Sequence, residues 1–314
     1  MKPIASVRVR APAKINPWLQ VLGRRTDGFH ELDLGYLAID VCDVVTVHLV
    51  RQQDLTALAS TVERIRTRTH GPLASPDIVD GPSNLAWRAA TLAWEQAALS
   101  GLPYTREPAV GLLVELEKHV PSQAGLGGAS SDAAAAWLGA RAVLRLGAPT
   151  TAEQAAFAAL GADCAFFASV PTGYAHGRGR GDQLEVLPAC SWHVGLLTPD
   201  VGCPTAQVYA SLGLVPGAPQ CAAVVPPRAG LNDLEAPAIH VQPRLRVWRE
   251  ALLEAGCGSW FLTGSGSSFC GLYEDASVCQ FAVARLGQVI RQAQLQPRLL
   301  RSTVARAGLQ VEPL

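Results

Sequence analysis

The chain has 314 residues, 49% hydrophobic and 17% charged, enough apolar material for two domains or one large one. Its formal net charge is zero and it carries no basic stripe, so a nucleic-acid partner is not expected. Eight scattered cysteines, the nearest two nine residues apart, exclude zinc-type pairs and read as reduced core thiols.

Residues 1–10 carry charge but no apolar run, so no signal peptide is expected. β-Branched residues at 7–9 and 41–50 predict strands, and the spacing of Leu85, Ala89, Leu92, Ala93 and Ala97 predicts a helix over 84–99. Residues 109–116 alternate as a strand and feed the loop Pro121-Ser122-Gln123-Ala124-Gly125-Leu126-Gly127-Gly128-Ala129-Ser130-Ser131-Asp132. An alanine-rich helix follows, predicted over 131–146 with Gly147 as its stop. Thr150 and Glu153 have capping-box spacing and open a helix that stops at Gly161. Asp163 then sits in an apolar segment. Glycine and proline at 171–181 suggest a boundary or hairpin, and 193–197 is a short strand. The uncharged run 201–227 contains five prolines, so it is an irregular region with at most a short helix, not a membrane span. A helix over 244–255, a strand–glycine turn–strand over 260–273 and a helix over 276–293 complete the chain. Strands and helices mix without regular alternation, which argues for an α+β fold.

The loop at 121–132 is the strongest chemical signal. Glycines let backbone N–H groups turn toward a ligand and approach it closely. Ser130, Ser131 and Asp132 suit a helix N-terminus, where free N–H groups favour an anion. The pattern fits a phosphate cradle without the lysine of a Walker A loop. Read alone, it also fits a Gly/Ser turn that merely starts a helix.

Only Lys2, Lys14 and Lys118 are lysines among 26 basic residues. Coding bias explains the scarcity. It does not explain why Lys14 lies inside Pro12-Ala13-Lys14-Ile15-Asn16 and Lys118 directly before the glycine loop, so both are site candidates. On residue type alone, Asp163 could equally be a turn residue and His30 a solvated loop histidine.

Pro12 to Asn16, Asp27-Gly28-Phe29-His30, the central loop, Leu160-Gly161-Ala162-Asp163 and Thr263-Gly264-Ser265-Gly266-Ser267 together resemble the GHMP kinase superfamily. Within it they are most similar to the family that phosphorylates the C2 hydroxyl of 4-diphosphocytidyl-2-C-methyl-D-erythritol. The resemblance implies a two-domain fold, with an ATP-binding domain over 1–170, a substrate domain over 171–314 and the active site in the cleft between them. It implies ATP as co-substrate, with Mg²⁺ carried on the triphosphate, although no carboxylate cluster marks metal ligands.

The resemblance also implies Lys14 and Asp163 as the catalytic pair. An ammonium beside a carboxylate in an apolar setting keeps it charged and ready as a base. It implies ATP contacts from Asn84, Lys118, Pro121, Gly125, Leu126, Gly127, Gly128, Ser130 and Ser131. It implies substrate contacts from Asn16, Phe29, His30, Thr205, Tyr209, Gly264, Ser265 and Gly266. Phe29 and Tyr209 are expected to sandwich a cytosine whose edge His30 reads. Phe29 stands where tyrosine is common, and Ala124 and Ala129 where some relatives have glycine. The expected partner is this small-molecule substrate, in the cytoplasm, with no nucleic acid and no membrane; nothing specifies an oligomer. Another GHMP kinase with a mevalonate-like or amino-alcohol substrate, or an inactive relative that only binds, are the alternatives.

Overall fold

The computed structural model describes residues 2–51, 64–218, 221–224 and 228–314. Strands β1 (Lys2–Ile15) and β2 (Leu19–Arg24) each pair antiparallel with β3 (His30–Arg51). β3 is 22 residues long and serves two sets of neighbours. Its C-terminal half lies between β1 and β5 (Val110–Glu117). Its N-terminal half pairs with β2 and β6 (Tyr174–Gly179). β4 (Ile65–His70) adds parallel to β5, β7 (Gln183–Val186) pairs with β6, and the C-terminal β12 (Gln310–Pro313) returns to β1. A second sheet has the order β11 (Leu299–Val304), β8 (His193–Thr198), β10 (Phe269–Tyr273), β9 (Phe261–Leu262).

Helices α1 (Leu85–Leu99) and α2 (Gly128–Val143) cover the first sheet. α2 presents Ala133, Ala136, Gly139 and Ala140, and small residues let it press close: a Cβ on Gly139 would come within 2.8 Å of Val47. The short α3 (Thr151–Ala158) carries the expected capping box, with Thr150 and Glu153 bonding each other's backbone. α4 (Ala162–Ser169) follows at once. α5 (Thr205–Ala210), α6 (Glu235–Val241), α7 (Leu245–Glu254) and α8 (Ala276–Gln292) belong to the second half. A core cluster of Ile15, Leu37, Ile39, Val120, Leu126, Val194, Leu196 and Phe261 joins the two sheets.

The mixed α+β architecture agrees with the sequence reading. Beyond residue 170, β6 and β7 still pair with the first sheet, and β8 belongs to the second. The helix after the glycine loop starts at Gly128, three residues earlier than predicted, because Gly127 itself is the cap. No helix among the described residues is long and apolar enough to cross a membrane.

Candidate active site

Two glycine-bearing turns meet back to back. Gly125 and Gly127 adopt φ of 73° and 68°, the left-handed region that glycine enters without penalty. A Cβ on Gly125 would collide with the carbonyl of Thr263, and one on Gly264 would stand 3.0 Å from the carbonyl of Gly125. Gly127 caps α2 without a side-chain bond, so the first-turn N–H groups of Gly128, Ala129 and Ser130 line the cleft. Neither Ala124 nor Ala129 has positive φ, so alanine fits where some relatives have glycine.

A Cβ on Gly127 would stand 3.0 Å from Lys14 and 3.2 Å from Phe167. Gly127→Val is therefore expected to raise the ATP Kd about tenfold or more through backbone strain and obstruction, with the far-UV circular dichroism unchanged. An unaltered Kd would move the phosphate site elsewhere.

Beneath the loop lies a buried ionic network. The ammonium of Lys118 contacts both Asp43 and Asp132. Asp43 Oδ1 also accepts from the backbone N–H groups of His119 (2.5 Å) and Val120 (2.8 Å), which fixes the entry to the loop. Burial pushes the Asp132 carboxyl up to about 7, against the pull of Lys118. Burial acts against the charge on Lys118, yet Asp132 and Asp43 together hold its ammonium above the ordinary value. Lys118 thus lies on the cleft wall with its ammonium paired to both Asp43 and Asp132.

Pro12 lies at a register shift between β1 and β3, and Lys14 emerges just beyond it. The Lys14 N–H donates to Leu126 at 2.9 Å, tying the strand to the loop. Its ammonium donates to Asn16 Oδ1 at 2.7 Å and lies 3.7 Å from Asp163 Oδ2. Asn16 is pinned in turn: its Nδ2 donates to the Gly35 carbonyl and its N–H to Thr263 Oγ1, both at 2.8 Å. Asp163 occupies the first turn of α4, where free helical N–H groups favour negative charge. The Lys14 side chain is 6% exposed and that of Asp163 28%, so the carboxylate reaches the cleft while the ammonium supports it from below. Tyr36, which no motif marks, donates its hydroxyl to Asp163 Oδ1 at 3.1 Å.

At the far end of the cleft the expected sandwich is arranged differently. The His30 ring, not a space for a base, lies on Tyr209 (centroids 4.7 Å apart, planes tilted by 36°). Phe29 is 53% exposed and the Arg180 guanidinium sits 4.8 Å above its ring. Burial and nearby Arg24 lower the His30 pKa, so the ring is neutral at neutral pH, with one donor and one acceptor nitrogen. Thr205 and Ser265 bond each other through their hydroxyls at 2.8 Å.

One cleft of about 1240 Å³ is lined by Lys14, Asn16, Phe29, His30, Asn84, Lys118, Pro121, Gly125, Leu126, Gly127, Gly128, Ser130, Asp163, Thr205, Tyr209, Gly264 and Ser265. Ser131 and Gly266 are not on its wall. Ser131 is buried in the first turn of α2, and a Cβ on Gly266 would meet Leu262 and Cys203. Asn84 caps α1 through Ala86 and also donates to Val79, so its side chain is committed to the helix start. Sequence reasoning missed Tyr36, Arg180 and Asp43. A tyrosine and an aspartate within a long alternating strand look like core and edge residues, and only the fold reveals their long-range partners.

A glycine-capped helix N-terminus, the Lys14–Asp163 pair and a cluster of aromatic rings thus share one cleft. Residues 84–175 match the model for the GHMP kinases N terminal domain and residues 227–291 that for the GHMP kinases C terminal. The 4-diphosphocytidyl-2-C-methyl-D-erythritol kinase of Citrifermentans bemidjiense is 33% identical over 292 residues, covering 90% of this chain and 95% of the relative. That of Moorella thermoacetica is 35% identical over 293 residues, covering 88% and 93%. A crystal structure of 4-(cytidine 5'-diphospho)-2C-methyl-D-erythritol kinase superposes with a TM-score of 0.67 at 28% identity, covering 96% of this chain and 99% of that one. A homoserine kinase from Cytophaga hutchinsonii shares the fold (TM-score 0.64, 15% identity, 99% and 98% covered). The chain belongs to the GHMP kinase superfamily and, within it, to the 4-diphosphocytidyl-2-C-methyl-D-erythritol kinase family.

Proposed function

We propose that this protein transfers the γ-phosphoryl group of ATP to the C2 hydroxyl of 4-diphosphocytidyl-2-C-methyl-D-erythritol. The products are the 2-phosphate and ADP, in the non-mevalonate route to isoprenoids. The observation that carries this reading is a single cleft with a backbone phosphate cradle, the Lys14–Asp163 pair beside it and a cluster of base-sized rings, Phe29, His30 and Tyr209, at its other end. A mevalonate-like or amino-alcohol substrate has no base to fill that end, and a protein that only binds has no need for the Lys14–Asp163 pair.

Catalysis in this reading is positioning plus charge stabilisation with one general base. The first-turn N–H groups of α2 hold the phosphates. Asp163 accepts the proton of the C2 hydroxyl, while Lys14 orients the carboxylate and offsets charge on the transferring group. Asn16 fixes the Lys14 ammonium. The γ-phosphoryl passes to the deprotonated oxygen, and ADP leaves. Mg²⁺ is expected with the triphosphate. When bound, Mg²⁺ neutralises phosphate charge. The reading sets the protein in the cytoplasm, with the ATP side built by the first sheet and its helices and the substrate side completed by α5 and the β9–β10 turn.

Stacking on a base is worth about 1–3 kcal/mol by alanine substitution. Phe29→Ala and Tyr209→Ala should therefore each weaken the cytidine substrate by about 5- to 150-fold and leave ATP affinity nearly unchanged. A neutral imidazole N–H can donate to N3 of cytosine, a position where uracil itself carries a donor. His30→Ala should thus erode preference for the cytidine substrate over its uridine analogue. The measurement is Kd for both substrates and ATP across the three variants. Parallel loss of ATP binding, or cytosine preference that survives without His30, would assign this end to another ligand.

A further inference from the structure

Tyr36 stands on β3, 1% exposed, with its ring stacked on Phe166 of α4 (centroids 4.7 Å, planes 16° apart). Its hydroxyl reaches Asp163 Oδ1 at 3.1 Å, while the other oxygen, Oδ2, lies 3.7 Å from the Lys14 ammonium. The space for the phenol is made by glycines. A Cβ on Gly181 would stand 2.5 Å from the hydroxyl oxygen, and one on Gly177 2.8 Å from the ring. Burial first, and then the Asp163 charge, raise the phenol well above its ordinary value, so it stays protonated and donates. The two carboxylate oxygens therefore have different partners, one a neutral phenol locked by packing and the other a cation.

We infer that Tyr36 is a positioning residue for the proposed base: its hydroxyl fixes Oδ1 of Asp163 and leaves Oδ2, beside Lys14, as the oxygen that takes the substrate proton. The inference rests on the reading of Asp163 as base. In the step it describes, the proton of the C2 hydroxyl passes to Oδ2. The hydroxyl oxygen's electron pair forms the new O–P bond, and the bond from the γ-phosphorus to the bridging oxygen breaks, its pair leaving on ADP.

Tyr36→Phe removes the donor and keeps the ring. Titratable groups around the carboxylate are Lys14 from β1, Tyr36 from β3, Cys164 beside it on α4 and Tyr209 from α5; Asp182, after β6, acts on Tyr36. Losing one hydrogen bond to a charged group should lower kcat about tenfold with KM and thermal midpoint nearly unchanged. The Tyr36 hydroxyl proton should give a downfield ¹H NMR resonance, assigned by its loss in Tyr36→Phe, that moves in Asp163→Ala and needs no substrate. A variant with wild-type kcat, or a hydroxyl resonance unmoved by Asp163→Ala, overturns the inference. If wild type turns over no cytidine substrate while that resonance still moves, the substrate reading fails and the hydrogen-bond role of Tyr36 stands.

Discussion

Asp163→Asn is expected to bind ATP and the cytidine substrate with near wild-type Kd and to lose about 10²–10⁴ in kcat, the range for removing a general base. The amide keeps the size of the side chain and can still accept from Tyr36, so the fold and the cleft survive. What it loses is the charge beside Lys14 and the capacity to accept the substrate proton. Single-turnover kinetics with ATP and substrate both saturating separate this from a binding defect. Turnover within a fewfold of wild type would make Asp163 a structural helix-start residue.

Lys14→Arg keeps the charge and is nevertheless expected to lower kcat about 10²-fold, the scale of losing one preorganised donor at the transferring group. The reason is space. The Lys14 stem would meet a Gly127 Cβ at 3.0 Å and its ammonium a Gly264 Cβ at 3.3 Å, so two glycine turns close around it. A planar guanidinium on a longer stem has to push these turns apart or leave Asn16, which it then no longer fixes at the 2.7 Å seen for the ammonium. Lys14→Arg with wild-type kcat would show that charge alone matters at this position.

Much of the site was legible because its determinants are local. The φ values of Gly125 and Gly127 are ones that glycine adopts freely, so the turn announces itself as a glycine cluster before a helix. The Thr150–Glu153 capping box spans three residues and is read directly. The strand–turn–strand around Gly264 and Gly266 is likewise continuous in sequence. What escaped depends on distant partners. The pairing of Lys118 with Asp43, 75 residues away, shows only in the fold. Tyr36 and Asp163 are 127 residues apart and meet only because β3 passes under α4. α4 has eight residues and no clear apolar stripe, so Asp163 read as a turn residue rather than as part of a helix's first turn. The resemblance supplied the role of His30 but not its ring-on-ring contact with Tyr209, which depends on how α5 docks against the loop after β2.

The most direct test is product analysis by ³¹P NMR after incubating the purified protein with ATP, Mg²⁺ and 4-diphosphocytidyl-2-C-methyl-D-erythritol, with mevalonate in a parallel reaction. C2 carries no hydrogen, so a phosphate placed there gives a monoester resonance without three-bond proton coupling. The expected result is one such signal growing in step with ADP, and no new monoester from mevalonate. A proton-coupled monoester, transfer to mevalonate, or ADP formation that does not depend on the cytidine alcohol would contradict the proposed reaction.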